Sequence, residues 1–122
     1  MKTVALVGHC GPDATLLRLA VQRAVPGITI AMANDDEAVR QHVKDGNALL
    51  VNRKLDGDFS ANDGIELIQS ALKGRKDLVV MLISNYEDAQ KEAESAGARK
   101  GFGKSRVYAP ETAELLKTAL TG

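Results

Sequence analysis

Aromatic side chains are scarce in this 122-residue chain, which has no Trp, two Tyr and two Phe. A core of ordinary size must therefore be aliphatic, built from Val, Leu, Ile and Ala. A single cysteine, Cys10, excludes an intramolecular disulfide and suits a reducing compartment. Excess charge is missing as well. Sixteen basic residues balance sixteen acidic ones, so no global field draws the chain toward nucleic acid or an anionic membrane. Long apolar runs are also lacking. The opening stretch, residues 1–8, is too short for a secretory signal and far too short to span a bilayer. The cytoplasm is the expected location. One domain with one sizeable core is expected at this length, without space for a separate output domain.

What is present is alternation. Thr3-Val4-Ala5-Leu6-Val7 is a short apolar run ended by Gly8, the pattern of a buried strand. Pro12 and Asp13 supply helix-start chemistry. Apolar positions 16, 17, 20, 21 and 24 then form one stripe of a helix over 13–25, stopped by Pro26-Gly27. Residues 28–32 read as a second strand, and Asn34 or Asp35 caps a short helix running to about Lys44. Asp45-Gly46 turns into a third strand at 48–52. A polar loop over 53–62 precedes a helix that begins near Asp63 and carries Ile65, Leu67, Ile68, Ala71 and Leu72. The most apolar run, 78–83, predicts a central strand. A charged helix over 86–96 closes at Gly97, a weak strand spans about 100–103, and Pro110 opens a last helix to Leu120.

Five strand–helix alternations with buried apolar strands predict an α/β fold, a parallel sheet covered by helices on both faces. Right-handed crossovers leave the flavodoxin-like doubly wound order 2-1-3-4-5, with five helices, as the leading topology.

Three segments carry a family resemblance. "NRKLDGDFSANDGIELI" is similar to the phosphate-accepting strand and following loop of response regulator receiver domains. There an Asp is followed three residues on by Leu or Met, then by Asp-Gly and an aliphatic helix. "MLISNYEDAQKEAESAGA" resembles that family's fourth strand, its terminal Thr or Ser, and the helix after it. "GFGKS" resembles the fifth strand, which ends in a Lys. In order and spacing these segments resemble a stand-alone, chemotaxis-type receiver across nearly the whole chain.

The resemblance implies a phosphorylation pocket whose parts can be matched one by one. Ser84 matches the hydroxyl and Lys104 the lysine. Gly8 and His9 stand where an acidic, Mg²⁺-binding pair belongs, and Asn52 replaces the acceptor Asp. An amide is not a nucleophile toward phosphoryl donors and binds a divalent cation far less well than a carboxylate. The aromatic switch position falls on Gly101, with Phe102 expected to point into the core. The chain thus resembles a pseudo-receiver, a signalling module that works without phosphoryl transfer, is no enzyme and needs no cofactor.

Two alternatives accompany that expectation. The altered pocket, Gly8, His9, Asn52, Ser84 and Lys104, is neutral to basic. With Arg53, the residues His9, Asn52, Ser84 and Lys104 could hold a small anion and shift the loop at 53–62. In the plainer case Lys104 bonds to backbone carbonyls or to Asp56. A displaced aspartate, Asp13 or Asp56, could also rebuild an acidic site, although Asp13 is expected to cap its own helix.

Sharper readings of the first turn fail on chemistry. His9 and Cys10 are adjacent, but a zinc site needs three or four protein ligands and only His42 is left to join them. No metal is expected. The Gly8-His9-Cys10-Gly11 turn also lacks the spacing of a dinucleotide-binding loop. Receivers dock partners on the surface of the fourth helix, fifth strand and fifth helix. Here that surface would carry Tyr86, Lys91, Arg99, Lys100, Arg106 and Tyr108, and exposed Tyr and Arg are frequent at binding hot spots. The expected partners are signalling proteins, a kinase or an effector, or a second copy in a homodimer. Neither nucleic acid nor membrane is expected.

Overall fold

The computed structural model describes residues 3–121. Its elements run β1 (Thr3–Val7), α1 (Gly11–Ala24), β2 (Thr29–Ala33), α2 (Asp36–Asp45), β3 (Ala48–Asn52) and α3 (Gly64–Gly74). They continue with β4 (Val80–Ile83), α4 (Glu87–Ser95), β5 (Arg99–Phe102), a 3₁₀ turn (Lys104–Arg106) and α5 (Pro110–Thr121). The strands form one five-stranded sheet in the order β2-β1-β3-β4-β5, every pair parallel. This is the flavodoxin-like doubly wound arrangement that the alternation predicts.

Two cores follow from the period of two along each strand. Val4, Leu6, Leu50, Met81, Ile83 and Phe102 face one side, where Leu17 and Val21 of α1 and Leu116 and Leu120 of α5 cover them. Ala5, Val7, Leu49, Val51, Val80 and Leu82 face the other, beneath Val39 of α2, Ile65 and Ile68 of α3, and Ala89 and Ala93 of α4. Fully buried strands read as unbroken apolar runs because both faces are dry. β3 and β4, each paired on both edges, have that pattern most completely.

Helix ends follow local chemistry. Asp35 accepts a hydrogen bond from the Ala38 amide and Asp63 one from the Glu66 amide, so each carboxylate satisfies a donor of its helix's first turn. α1 starts at Gly11, two residues before the sequence reading, because Pro12 fits the first turn, where its missing N–H is no loss. Asp13 does not cap that helix. The cap position is Cys10, and no side chain closes it. β4 begins at Val80 rather than at 78, yet Leu78 and Val79 stay buried and the Val79 carbonyl accepts from the Leu49 amide at 2.9 Å.

The loop over 53–62 is largely exposed but tied at several points. The Asp56 amide donates to the Gly8 carbonyl at 2.9 Å, and the Asp58 amide donates to Asn34 at the same distance. The Ser60 amide donates to the Asp36 carboxylate at 3.1 Å. Leu55, Phe59 and Ala61 pack against the core on the α2–α3 side. These contacts close the loop over the ends of β1 and β2.

Candidate functional site

The sequence-matched residues part company at the carboxyl ends of the strands. Gly8 leaves β1 at φ +72°, and a Cβ there would meet the Leu55 side chain at 2.7 Å. Its carbonyl takes bonds from both the Asp56 amide and the Asn52 side chain. Gly8 therefore lies beneath the long loop and not in an open pocket. His9 is only 3% exposed, with Nε2 2.9 Å from the Leu50 carbonyl. Since a carbonyl only accepts, Nε2 carries the proton and Nδ1 is left bare and buried without a partner. Burial, the largest influence, with nearby Lys104 lowers the His9 pKa to about 4 against the opposing Leu50 bond and Asp13 charge. His9 is a neutral core residue and does not face the cleft.

Asn52 ends β3 with its amide turned inward. Nδ2 donates to the Gly8 carbonyl at 3.0 Å and to the Lys54 carbonyl at 2.7 Å. Two carbonyl acceptors require two N–H donors, so the orientation of the amide is fixed by its neighbours. The residue clamps the first turn to the loop after β3, and no N–H of its side chain remains for an anion. A carboxylate could not make either bond.

Beside this clamp opens a cleft of about 450 Å³. Asn52, Arg53 and Lys54 form one wall, Ile83, Ser84, Asn85 and Tyr86 a second, and Asp13 with Lys104 the third. The structure thus brings Asn52, Arg53, Ser84 and Lys104 together and leaves Gly8, His9 and Asp56 outside. Of the two displaced aspartates considered, Asp13 lines the cleft and Asp56 does not. Asp13 Oδ2 lies 2.6 Å from Lys104 Nζ, with side-chain exposures of 27% and 32%. So Lys104 meets a carboxylate as in the plainer expectation, but that of Asp13 and not of Asp56. The Lys104 bond, followed by the Cys10 thiol, holds Asp13 below the usual carboxylate range. Partial exposure keeps such a pair weak, about 0–1 kcal/mol, so it orients both groups more than it stabilises the fold.

The second wall is fixed by its own bonds. The Ser84 hydroxyl accepts from the Tyr86 amide at 3.1 Å, while the Ser84 amide donates to the Phe102 carbonyl. Asn85 Oδ1 accepts from the Ser105 amide and hydroxyl, at 3.2 and 2.9 Å. The Arg53 guanidinium lies over the Tyr86 ring, 4.8 Å from its centroid, which braces it at the cleft mouth.

Behind this wall sits Gln90, a residue that sequence reasoning passed over. Its Nε2 donates to the carbonyls of Leu82 at 2.8 Å and Ser84 at 3.0 Å, and its Oε1 accepts from the Gly101 amide. These bonds fill the register shift between β4 and β5. A Cβ at Gly101 would lie 2.1 Å from the Leu82 carbonyl oxygen and 2.8 Å from Gln90 Oε1. Phe102 points into the core as expected and is 6% exposed.

The residues matched to a docking surface differ in their surroundings. Tyr86, Lys91, Arg99 and Lys100 are exposed. Arg106 pairs with Glu111. Tyr108, half-exposed, carries the Arg23 guanidinium of α1 at 5.3 Å from its ring. Among the described residues no group of His, Cys, Asp and Glu is arranged to hold a metal ion, and no helix is long and apolar enough to cross a membrane.

No family model matches the chain, and no curated protein matches it. Solved structures do. A protein described as a response regulator from Chloroflexus aurantiacus is 23% identical, with a TM-score of 0.79 over 99% of this chain and 98% of that one. The signal receiver domain of a DNA-binding response regulator from Colwellia psychrerythraea 34H is 12% identical, with a TM-score of 0.75 and full coverage of both chains. A beryllofluoride-activated NtrC4 receiver domain dimer is 18% identical, with a TM-score of 0.71 over 98% of this chain and 96% of that one. At these identities the likeness establishes the fold, that of CheY-like receiver domains.

Proposed function

We propose that this receiver-like protein works in signal transduction as a phosphorylation-independent interaction module and is not itself an enzyme. The observation that carries the reading is the Asn52 amide, whose two N–H groups are both committed to backbone carbonyls. At the place of an acceptor carboxylate stands a structural clamp. Among the described residues Asp13 alone supplies a carboxylate to the cleft, and it is already held by Lys104. A single paired carboxylate is a poor cradle for Mg²⁺, which is usually held by carboxylates together with waters and substrate phosphate.

Loss of the switch supports the same reading. The space that a side chain at position 101 would need is closed by the Leu82 carbonyl and by Gln90. Ser84 therefore has no aromatic neighbour at that position to draw inward, and α4, β4 and β5 are tied in one arrangement. Such a scaffold presents its exposed face, Tyr86, Arg99 and Lys100, without conditional change. Its partners would be signalling proteins, a kinase or effector, or a second copy of the chain, as in the NtrC4 receiver dimer. The cytoplasm is the proposed location, with neither nucleic acid nor membrane as a partner.

Intact-mass spectrometry after incubation with acetyl phosphate and Mg²⁺ tests this directly. The expected spectrum shows unmodified protein only. A phosphoryl adduct mapping to Asp13 or Asp56 would instead establish a receiver that uses a displaced aspartate, and the proposal would fail.

A further inference from the structure

The cleft has more hydrogen-bond donors than its own acceptors can use. Arg53 and Lys54 have no carboxylate partner among the described residues, and Lys104 gives only one of its three N–H groups to Asp13. The Ser84 hydroxyl accepts from Tyr86 and keeps its own proton to donate. Asn85 uses its oxygen on Ser105 and keeps its NH₂. Against these stand Asp13 and the outward oxygen of Asn52. Three cations and one anion leave a formal surplus of two positive charges in the lining.

We infer that the cleft binds the phosphate group of a small phosphorylated molecule, without covalent transfer and without a metal ion. Arg53 is the anchor. Its planar fork suits two phosphate oxygens at once, and stacking on Tyr86 restricts it before any ligand arrives. Lys104 and Lys54 supply point charges, and Ser84 and Asn85 supply neutral donors. At about 450 Å³ the space far exceeds one phosphate group, which leaves room for an organic portion against Ile83 and the Tyr86 ring. Asp13 opposes the ligand. Its carboxylate already occupies Lys104 and repels a second anion. The site therefore has one residue whose removal strengthens binding and another whose removal weakens it.

This inference is independent of the protein–partner reading, because a partner on the outer face can bind whether or not the cleft is filled. Its test is an amide NMR titration of the full chain in EDTA with phenyl phosphate, inorganic phosphate and benzoate as probes. Phenyl phosphate should give saturable shifts confined to residues near 52–54, 84–86 and 104, with benzoate much weaker. Asp13→Asn should tighten binding roughly fivefold and Arg53→Gln should weaken it by a similar factor, since each changes one partly screened charge. Both side chains lie outside the core, so amide spectra can verify that the variants fold. Inorganic phosphate equal to phenyl phosphate would support the site and make free phosphate the ligand. Tighter phenyl phosphate would support it with an organic ester. Absence of saturable shifts, a requirement for Mg²⁺, or weaker binding by Asp13→Asn would overturn the inference.

Discussion

At the scale of single residues, the decisive fact is that Asn and Asp differ in what they can donate. Asn52 satisfies two carbonyls that belong to different segments, Gly8 and Lys54, and so ties the end of β1 to the loop after β3. Asn52→Asp keeps the size and shape but sets a carboxylate against both oxygens. We expect it to destabilise the protein by about 1–3 kcal/mol at pH 7, the cost of unmade bonds at a part-buried site. Urea unfolding should place it below Asn52→Ala, because the alanine removes both side-chain bonds without adding a charge, and the Gly8 carbonyl keeps its bond from the Asp56 amide. An aspartate variant as stable as the parent would mean that the clamp is dispensable.

At the scale of elements, the joint between β4 and β5 is held by a single side chain. Gln90 reaches from α4 to bond both strands at the register shift, and Gly101 leaves the space for it. Gly101→Ala places a methyl 2.1 Å from a backbone oxygen, which cannot rotate away as a side chain can. Overpacking of this kind typically costs about 1–3 kcal/mol. Thermal or urea unfolding should detect that loss, and it should persist when Gln90→Ala is added, because the clash lies mainly with the Leu82 carbonyl. Full rescue by the second substitution would show that Gln90, and not the strand, closes the space. The loop over 53–62 belongs to the same scale. It is bonded to Gly8, Asn34 and Asp36.

At the scale of the whole molecule, one buried imidazole couples stability to pH. The folded pKa of His9, near 4, lies below its ordinary value of 6.5. Between those values the unfolded chain binds a proton that the folded chain refuses, so stability rises with pH across that window and falls on acidification. The full contribution is present above about pH 6.5 and disappears as pH drops toward 4. Linkage over that interval predicts that the protein is roughly 2 kcal/mol less stable at pH 5 than at pH 7. Urea midpoints at the two pH values measure it, and His9→Gln should flatten the difference. Asp13 acts in the same direction at lower pH, because its pKa is depressed and its contribution is lost only as the carboxylate protonates. An unchanged midpoint between pH 7 and pH 5 would mean that His9 is charged or solvated in the fold.

The sequence by itself determined the element order and a parallel sheet covered on both faces, but the one core it led us to expect is two, one on each side of the sheet. Element order and sheet depend on local periodicity and on which residues can leave water, as in the unbroken run of β3 and the stripe of α1. It also placed Ser84, Asn52, Arg53 and Lys104 at one end of the sheet, because strand ends in a parallel sheet converge whatever the side chains do. Only the tertiary structure decided where side chains point once there. His9 turns into the core because the Leu50 carbonyl offers a bond in a dry place, and Asp13 faces Lys104 because α1 begins at Gly11. Asn52 is a clamp because two carbonyls separated by 46 positions in sequence, Gly8 and Lys54, meet at its amide. Such pairings depend on distances between segments remote in the chain, and no local pattern records them.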